Sequence, residues 1–277
     1  MSVIERRARP LLGTFVEIGL RNGSSAVFLK AFAEIERIHQ RMSAHLIDSD
    51  LGKIAQAAHR QWVTVDAATA EVIRLSLMWA EFTEGAFDPI RAGCELVHAG
   101  RRPCLADQLP DLAATWRDVE LEGLKIRTTR PLTIDLGGIA KGYAVDLAAE
   151  IITAHSHSGI VNAGGDLRFM GTENRAISLR KPDAEGSRME LQEIPYPALA
   201  TTASYAFSEE GGNLDLVGHK LPPAGISITV FAENCALADA MTKAVLNLPA
   251  TKATMILRQL GCSALILTVD GGYQELL

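Results

Sequence analysis

The sequence predicts an α+β fold in which helices pack on a face of antiparallel sheets. Three observations carry that expectation. Short alternating or apolar strands recur along the chain, and two pairs of them close as hairpins: 119–121 with 124–126 around Glu122-Gly123, and 204–208 with 214–217 around Gly211-Gly212. Segments with helical spacing of apolar residues lie between these strands. At 277 residues the chain is long enough to bury a sizeable core in one or two domains. A doubly wound parallel sheet is the alternative, and the hairpins argue against it.

In chain order, residues 11–20 alternate after Gly13, with Phe15, Ile18 and Leu20 among polar neighbours, and predict a strand. Ser24 or Ser25 caps the next helix, whose apolar face carries Val27, Phe28, Ala31, Ile35 and Ile38. Trp62 to Val65 reads as a short strand, and Asp66 caps a helix running to about Phe82. Pro89 biases Asp88 away from helical dihedrals, so its carboxylate sits in a turn that either terminates a helix or touches a ligand. Residues 98–113 lack periodicity and read as a loop. Leu132 to Ile134 reads as the end of a strand, and a helix follows to about His155 on Ile139, Tyr143, Val145, Ala148, Ala149 and Ile152. Residues 159–162 form a strand running into the turn Gly164-Gly165. Strands are expected at 176–179, 198–202, 226–231, 264–269 and 273–276, and helices at 235–248 and 251–260.

Charge and composition exclude several function classes. A net charge of −6 and a pI near 5.7 argue against a broad nucleic-acid or acidic-membrane surface, so any phosphate site is a local basic pocket. The four cysteines (Cys94, Cys104, Cys235, Cys262) show no close pairing of the metal-site kind and read as reduced thiols that serve packing. His155 and His157 have the spacing of a metal pair, but on a polar helix end they read better as solvated histidines. Residues 1–9 are charged and lack the apolar run of a signal peptide. No 18-residue apolar run exists either, so no membrane span is expected and the cytoplasm is the expected location.

The stretch from Ile134 to Asp146 is the most suggestive chemically. Gly137 and Gly138 let the backbone turn sharply and approach a ligand. A glycine pair opening a helix leaves backbone N–H groups at the positive end of the helix dipole, which suits a phosphate. Lys141 adds a mobile positive charge in the first turn, and Asp135 and Asp146 can accept hydrogen bonds from a ribose or a base. The plain alternative is a tight strand-to-helix turn with surface charges.

This stretch resembles the segment with which the FAD:protein FMN transferase (ApbE-type) family cradles the FAD diphosphate. Other blocks similar to that family follow in its order: Leu12-Gly13-Thr14, Thr83 to Pro89, Asn162-Ala163-Gly164-Gly165-Asp166, Ala200 to Tyr205, and Ala238-Asp239-Ala240-Met241. The resemblance implies one ApbE-like domain over residues 1–277, built of T-fold-like units, with two subdomains and the nucleotide site in the groove between them. It implies FAD as the bound nucleotide, with Thr14, Asp88, Asp135, Gly137, Gly138, Lys141, Asp146, Gly164, Gly165, Asp166, Thr201 and Thr202 as its contacts.

The reaction implied by the resemblance moves FMN from FAD to a threonine of a flavin-acceptor protein, with AMP leaving. The family holds Mg2+ with an Asp and a Thr four residues apart on one helix, plus a main-chain carbonyl; the matching positions here are Asp239, Lys243 and Ala140. An ammonium does not ligate a metal, and Thr242 points about 100° away around an ideal helix. The expectation is therefore that Lys243 takes the place of the ion against the diphosphate. The family's catalytic base falls at His219, in a block from His219 to Gly225 that lacks the family's Asp and Thr. The family's Asn after a serine-rich turn falls at Ala55. Two readings follow: an active transferase with altered metal dependence and His219, Asp239 and Lys243 at its centre, or a paralogue that binds FAD without transferring FMN.

Overall fold

A computed structural model describes residues 4–155, 158–171, 175–183, 185–204 and 225–277. In chain order the elements are β1 (Ile4–Leu11), β2 (Thr14–Arg21), α1 (Ser25–Met42), α2 (Asp50–Gln56), β3 (Val63–Thr64), α3 (Ala67–Phe82), α4 (Pro89–His98), β4 (Val119–Glu122), β5 (Lys125–Thr128), α5 (Ala140–Ala154), β6 (Gly159–Ala163), β7 (Asp166–Met170), β8 (Ile177–Arg180), β9 (Arg188–Leu191), β10 (Ala198–Ser204), β11 (Ile226–Ala232), α6 (Cys235–Asn247), α7 (Ala250–Gln259), β12 (Ser263–Thr268) and β13 (Tyr273–Leu276). Every strand pairing among them is antiparallel, which excludes the doubly wound alternative. The chain forms two compact units: the described residues of 1–36, 141–215 and 222–277, and Arg37–Ala140.

The first unit is built on an eight-stranded sheet of order β1-β2-β6-β7-β10-β11-β12-β13. Its strands alternate, and the two faces of β10 show what each covers. Leu199 joins Leu167, Phe231, Leu265 and Leu267 in an apolar cluster that packs with Leu179 of the β8–β9 ribbon. On the other face α6 lies across β10, β11 and β7. Two hairpin turns use positive φ at both central residues, as type I′ turns require: Leu12 and Gly13 between β1 and β2, Gly164 and Gly165 between β6 and β7. Because β2 pairs with β6, the turns lie at the same end of the sheet, and a Cβ on Gly164 would fall 2.5 Å from Thr14 Oγ1.

The second unit carries α2, α3, α4 and a small sheet of order β3-β5-β4. Asp66 caps α3 as expected, accepting from Ala68 N. Thr83 bonds back to Trp79 O and accepts from Phe87 N, and Gly85, at φ +82, has no room for a Cβ beside the Trp116 ring. Asp88 then caps α4, accepting at Oδ1 from Ile90 N and Arg91 N, with Pro89 in the first turn. The block from Thr83 to Pro89 is thus a helix-to-helix turn.

One expectation is corrected and two elements are added to those expected. Residues 132–134 are not a strand: Gly93 of α4 comes so close that a Cβ would meet Thr133 O at 2.3 Å, and Asp135 N donates to Pro89 O instead of to a neighbouring strand. Residues 89–98, after the Asp88 turn, form α4. Within the charged residues 1–9, for which no element is expected, a strand begins at Ile4 and runs to Leu11 as β1. The expected hairpin at 204–208 and 214–217 lies outside the described residues except for Ser204, which ends β10.

Candidate functional site

The polar centre of the first unit begins with β7. Leu167 belongs to the apolar cluster, so Asp166 and Arg168 point to the opposite face, toward α5. There Lys141 Nζ lies 3.1 Å from Asp166 Oδ2, and one turn further along, Asp146 Oδ1 accepts from Arg168 at 2.9 Å. The carboxylate of Asp146 also accepts from Cys235 N (2.9 Å) and Ala236 N (2.8 Å), the opening amides of α6. Both of its oxygens are therefore engaged by the protein, which gives Asp146 a helix-capping role. Burial holds the carboxyl above its ordinary pKa despite these donors.

Helix α6 contributes Asp239, Thr242 and Lys243, the first two fully buried. Asp239 Oδ1 is 3.1 Å from Lys243 Nζ; Oδ2 faces Gly142 N at 3.4 Å and Lys141 Nζ at 3.8 Å. Lys243 also donates to Thr202 Oγ1 at 2.5 Å and to Thr242 Oγ1 at 3.0 Å. The two hydroxyls are 2.8 Å apart, and Thr242 donates to Asp239 O. An ammonium has three N–H donors, and each finds an oxygen here. Thr242, expected to point away, rejoins the cluster because its hydroxyl turns back onto its own helix.

Asp166, buried at 2% exposure, has its carboxyl pushed up to about 6, first by burial and then by the charge of Asp239, while Lys141 and Lys243 pull it down. Two buried carboxylates and two partly exposed ammoniums thus share a site with no net charge. Thr201 and Thr202 part company through strand alternation: Thr202 joins the cluster, whereas Thr201, on the other face, pairs with Thr229 at 2.9 Å.

The glycine turn before α5 is also internally satisfied. Asp135 Oδ1 accepts from Gly137 N at 2.6 Å, and its Oδ2 takes Arg102 Nε at 2.6 Å. Ile139 N and Ala140 N donate to Leu136 O, and Gly142 N points at Asp239. The expectation of free amides is corrected for these four groups, because a carboxylate two residues upstream closes the turn on itself. Asp135 here fixes the loop.

The ApbE family model matches residues 12–266. The chain belongs to the ApbE family. A Rhodobacter capsulatus protein named FAD:protein FMN transferase is 27% identical over 239 residues, which is 79% of this chain and 46% of that protein. The chain thus spans about half the length of that relative. A Vibrio cholerae protein of the same name is 24% identical over 270 residues, 87% of this chain and 79% of its own length. Among solved structures, the ApbE protein of Thermotoga maritima superposes with a TM-score of 0.79 at 26% identity, covering 98% of this chain and 96% of that one.

Within this ApbE-family chain, the cluster of Lys141, Asp166, Asp239, Lys243 and Thr202 is drawn together in one unit, with Thr14, Gly164 and Gly165 adjoining one another at the paired hairpin turns. Asp88, Asp135, Gly137, Gly138 and Ala140 belong to the other unit. Asp88 Oδ2 is buried without a hydrogen-bond partner, and burial raises its carboxyl pKa. His219 and His157 lie outside the described residues; His155 sits on a helix end, its Nδ1 2.8 Å from Ile151 O.

Asp166 Oδ2 is buried without a hydrogen-bond partner, its nearest cation being Lys141 Nζ at 3.1 Å, but the residues around Asp239 do not fit a divalent ion there. One of its oxygens is held by the Lys243 ammonium and the other faces an amide and a second ammonium. Among the described residues no three His, Cys, Asp or Glu side chains converge as a metal site.

Sequence reasoning missed Gly142, Thr242, Arg168 and Arg102. Only Gly142 carried a signal. A glycine inside a helix costs about 1 kcal/mol against alanine, so its presence points to a close approach. Here a Cβ would fall 2.3 Å from Cys235 O.

Proposed function

We propose that this chain is an FAD:protein FMN transferase that moves FMN from FAD to a threonine hydroxyl of an acceptor protein. The observation that carries the reading is the buried Lys141–Asp166–Asp239–Lys243 cluster, assembled from three of the collinear blocks that the family shares. In the reaction the acceptor Oγ forms a bond to the FMN phosphorus. The bond from that phosphorus to the bridging diphosphate oxygen breaks, and AMP carries that oxygen away. The hydroxyl proton passes to a base, for which His219 is the proposed residue. Lys141 and Lys243 supply positive charge where the diphosphate gathers negative charge. The donors of Lys243 are all taken by protein oxygens, so it acts through its field. The binding-only alternative rests on the altered residues alone, and the named relatives do not support it.

The test is incubation with FAD and a flavin-acceptor domain, followed by a denaturing gel read for flavin fluorescence. A covalent fluorescent band is expected, absent when the acceptor threonine is valine and weakened at least tenfold by His219→Ala. Flavin titration should be saturable and about tenfold weaker in Lys141→Ala, equivalent to about 1.4 kcal/mol. Saturable binding with no band would refute the transfer step.

A further inference from the structure

We propose that Lys243 is a built-in cation that takes the place of a divalent metal, so that nucleotide-diphosphate binding by this chain is independent of Mg2+. The nucleotide part rests on the transferase reading; the metal part does not.

Lys243 Nζ has three oxygen partners, the Asp239 carboxylate at 3.1 Å and the hydroxyls of Thr202 at 2.5 Å and Thr242 at 3.0 Å, and its side chain is 12% exposed. A surface i,i+4 pair would leave the ammonium mostly in water; this one is enclosed in a closed hydroxyl network. Thr202 donates to Thr242, Thr242 donates to Asp239 O, and both hydroxyls accept from Lys243. No donor of Lys243, Thr202 or Thr242 is left over, so the bonding around the ammonium is complete, and the unbonded buried oxygen of the cluster belongs to Asp166, on the side of Lys141.

Charge leads to the same conclusion. Asp166, Asp239 and Lys141 alone sum to −1, a buried surplus that draws a cation. Lys243 cancels it. Mg2+ requires oxygens at about 2.0–2.1 Å in near-octahedral array. An ion bound to Asp239 Oδ1 would share that oxygen with an ammonium already 3.1 Å away, and the like charges repel in a low-dielectric site. A lysine carries one charge, imposes no octahedral geometry, and cannot be removed by a chelator.

The experiment uses the full chain and two probes. Mn2+ binding is followed by the loss of the free-ion signal in electron paramagnetic resonance, for wild type, Lys243→Thr and Lys243→Met. FAD affinity is measured by fluorescence with EDTA and with excess Mg2+. Wild type should take up no Mn2+, and its FAD affinity should agree within twofold in the two buffers. Lys243→Thr should bind Mn2+ and show FAD affinity at least tenfold weaker in EDTA, restored by Mg2+. Lys243→Met, which adds no ligand oxygen, should lose affinity in both buffers alike. Stoichiometric Mn2+ uptake by wild type, or a tenfold loss of its FAD affinity in EDTA, overturns the proposal. So does a folded Lys243→Thr that takes up no Mn2+. If Lys243→Thr fails to fold, as judged by circular dichroism, the wild-type measurements decide. Absence of FAD binding in both buffers overturns the transferase reading instead, and the Mn2+ comparison still decides this one.

Discussion

Asp146 shows how a residue chosen for ligand chemistry can be committed to architecture. Its carboxylate reaches from α5 to two opening amides of α6 and to Arg168, so one side chain ties two helices and a strand. Asn234 caps the same helix end through Leu237 N, so the two caps satisfy different amides. Charged hydrogen bonds contribute about 1.5–3 kcal/mol each, and removing the acceptor strands buried donors. Asp146→Ala is therefore expected to cost about 2–4 kcal/mol in urea unfolding, with Asp146→Asn losing less because its carbonyl still accepts. A change below about 0.5 kcal/mol in the alanine variant would mean that Asn234 suffices as the cap. From sequence, an aspartate in a helix beside a glycine turn reads equally as ligand contact or tie. Distance to Cys235, 89 positions on, decides it, and no local pattern carries that distance.

At the scale of elements, the helix crossing at Gly142 is the most sensitive contact in the site. Alanine there gains helix propensity, about 1 kcal/mol, but its Cβ would press to 2.3 Å on a backbone carbonyl that cannot rotate away. Overpacking costs about 1–3 kcal/mol, so Gly142→Ala should be destabilising on balance and should loosen the Asp239–Lys141 approach as well. The expected result is a lower urea midpoint together with weaker FAD binding; a stabilised variant would mean that α5 and α6 can separate without consequence. Legibility of the elements followed the same division between local and distant causes. α3 was readable because its cap, Asp66, and its apolar spacing are both local. β1 was not, because its inward positions include Arg7 and Arg9, whose guanidinium groups lie over the rings of Phe28 and Phe32 at 4.5 and 4.8 Å. Arginine stems cover apolar surface while reading as polar. The missed α4 had its signal in plain view, since Asp88-Pro89 is an N-cap followed by proline in the first turn. The glycine hairpin turn after Ala163 was legible, but its alignment with the Leu12-Gly13 turn depends on the β2–β6 pairing, which sequence spacing does not specify.

For the whole molecule, the four thiols give a readout of folding and ligand binding together. Cys104 is exposed, while Cys94, Cys235 and Cys262 are buried. Burial pushes the Cys94 thiol up to about 11 and that of Cys262 up to about 12, and raises Cys235 well above the ordinary value. The thiolate is the reactive form, so at pH 8 an aromatic disulfide reagent should titrate one thiol rapidly in the native protein and four in urea. Cys104→Ser should abolish the rapid phase. Raising the pH to 9 should speed Cys104 without recruiting the others, because they lack both access and thiolate. Their slow reaction then measures opening of the fold. Cys235 is the informative one: it begins α6, its amide is held by Asp146, and its Sγ lies 3.5 Å from Leu199 O. A ligand that binds only the folded state lowers the open population by the factor 1 + L/Kd, with L the free ligand concentration. FAD at a hundredfold over its Kd should therefore slow Cys235 labelling about a hundredfold, corresponding to about 2.7 kcal/mol, while leaving Cys104 chemistry governed by its own exposure. Mass spectrometry of the labelled peptides separates the two sites. Slow labelling of Cys235 that FAD leaves unchanged would show that nucleotide binding, if present, does not draw on the unit that holds Lys141, Asp166 and Asp239.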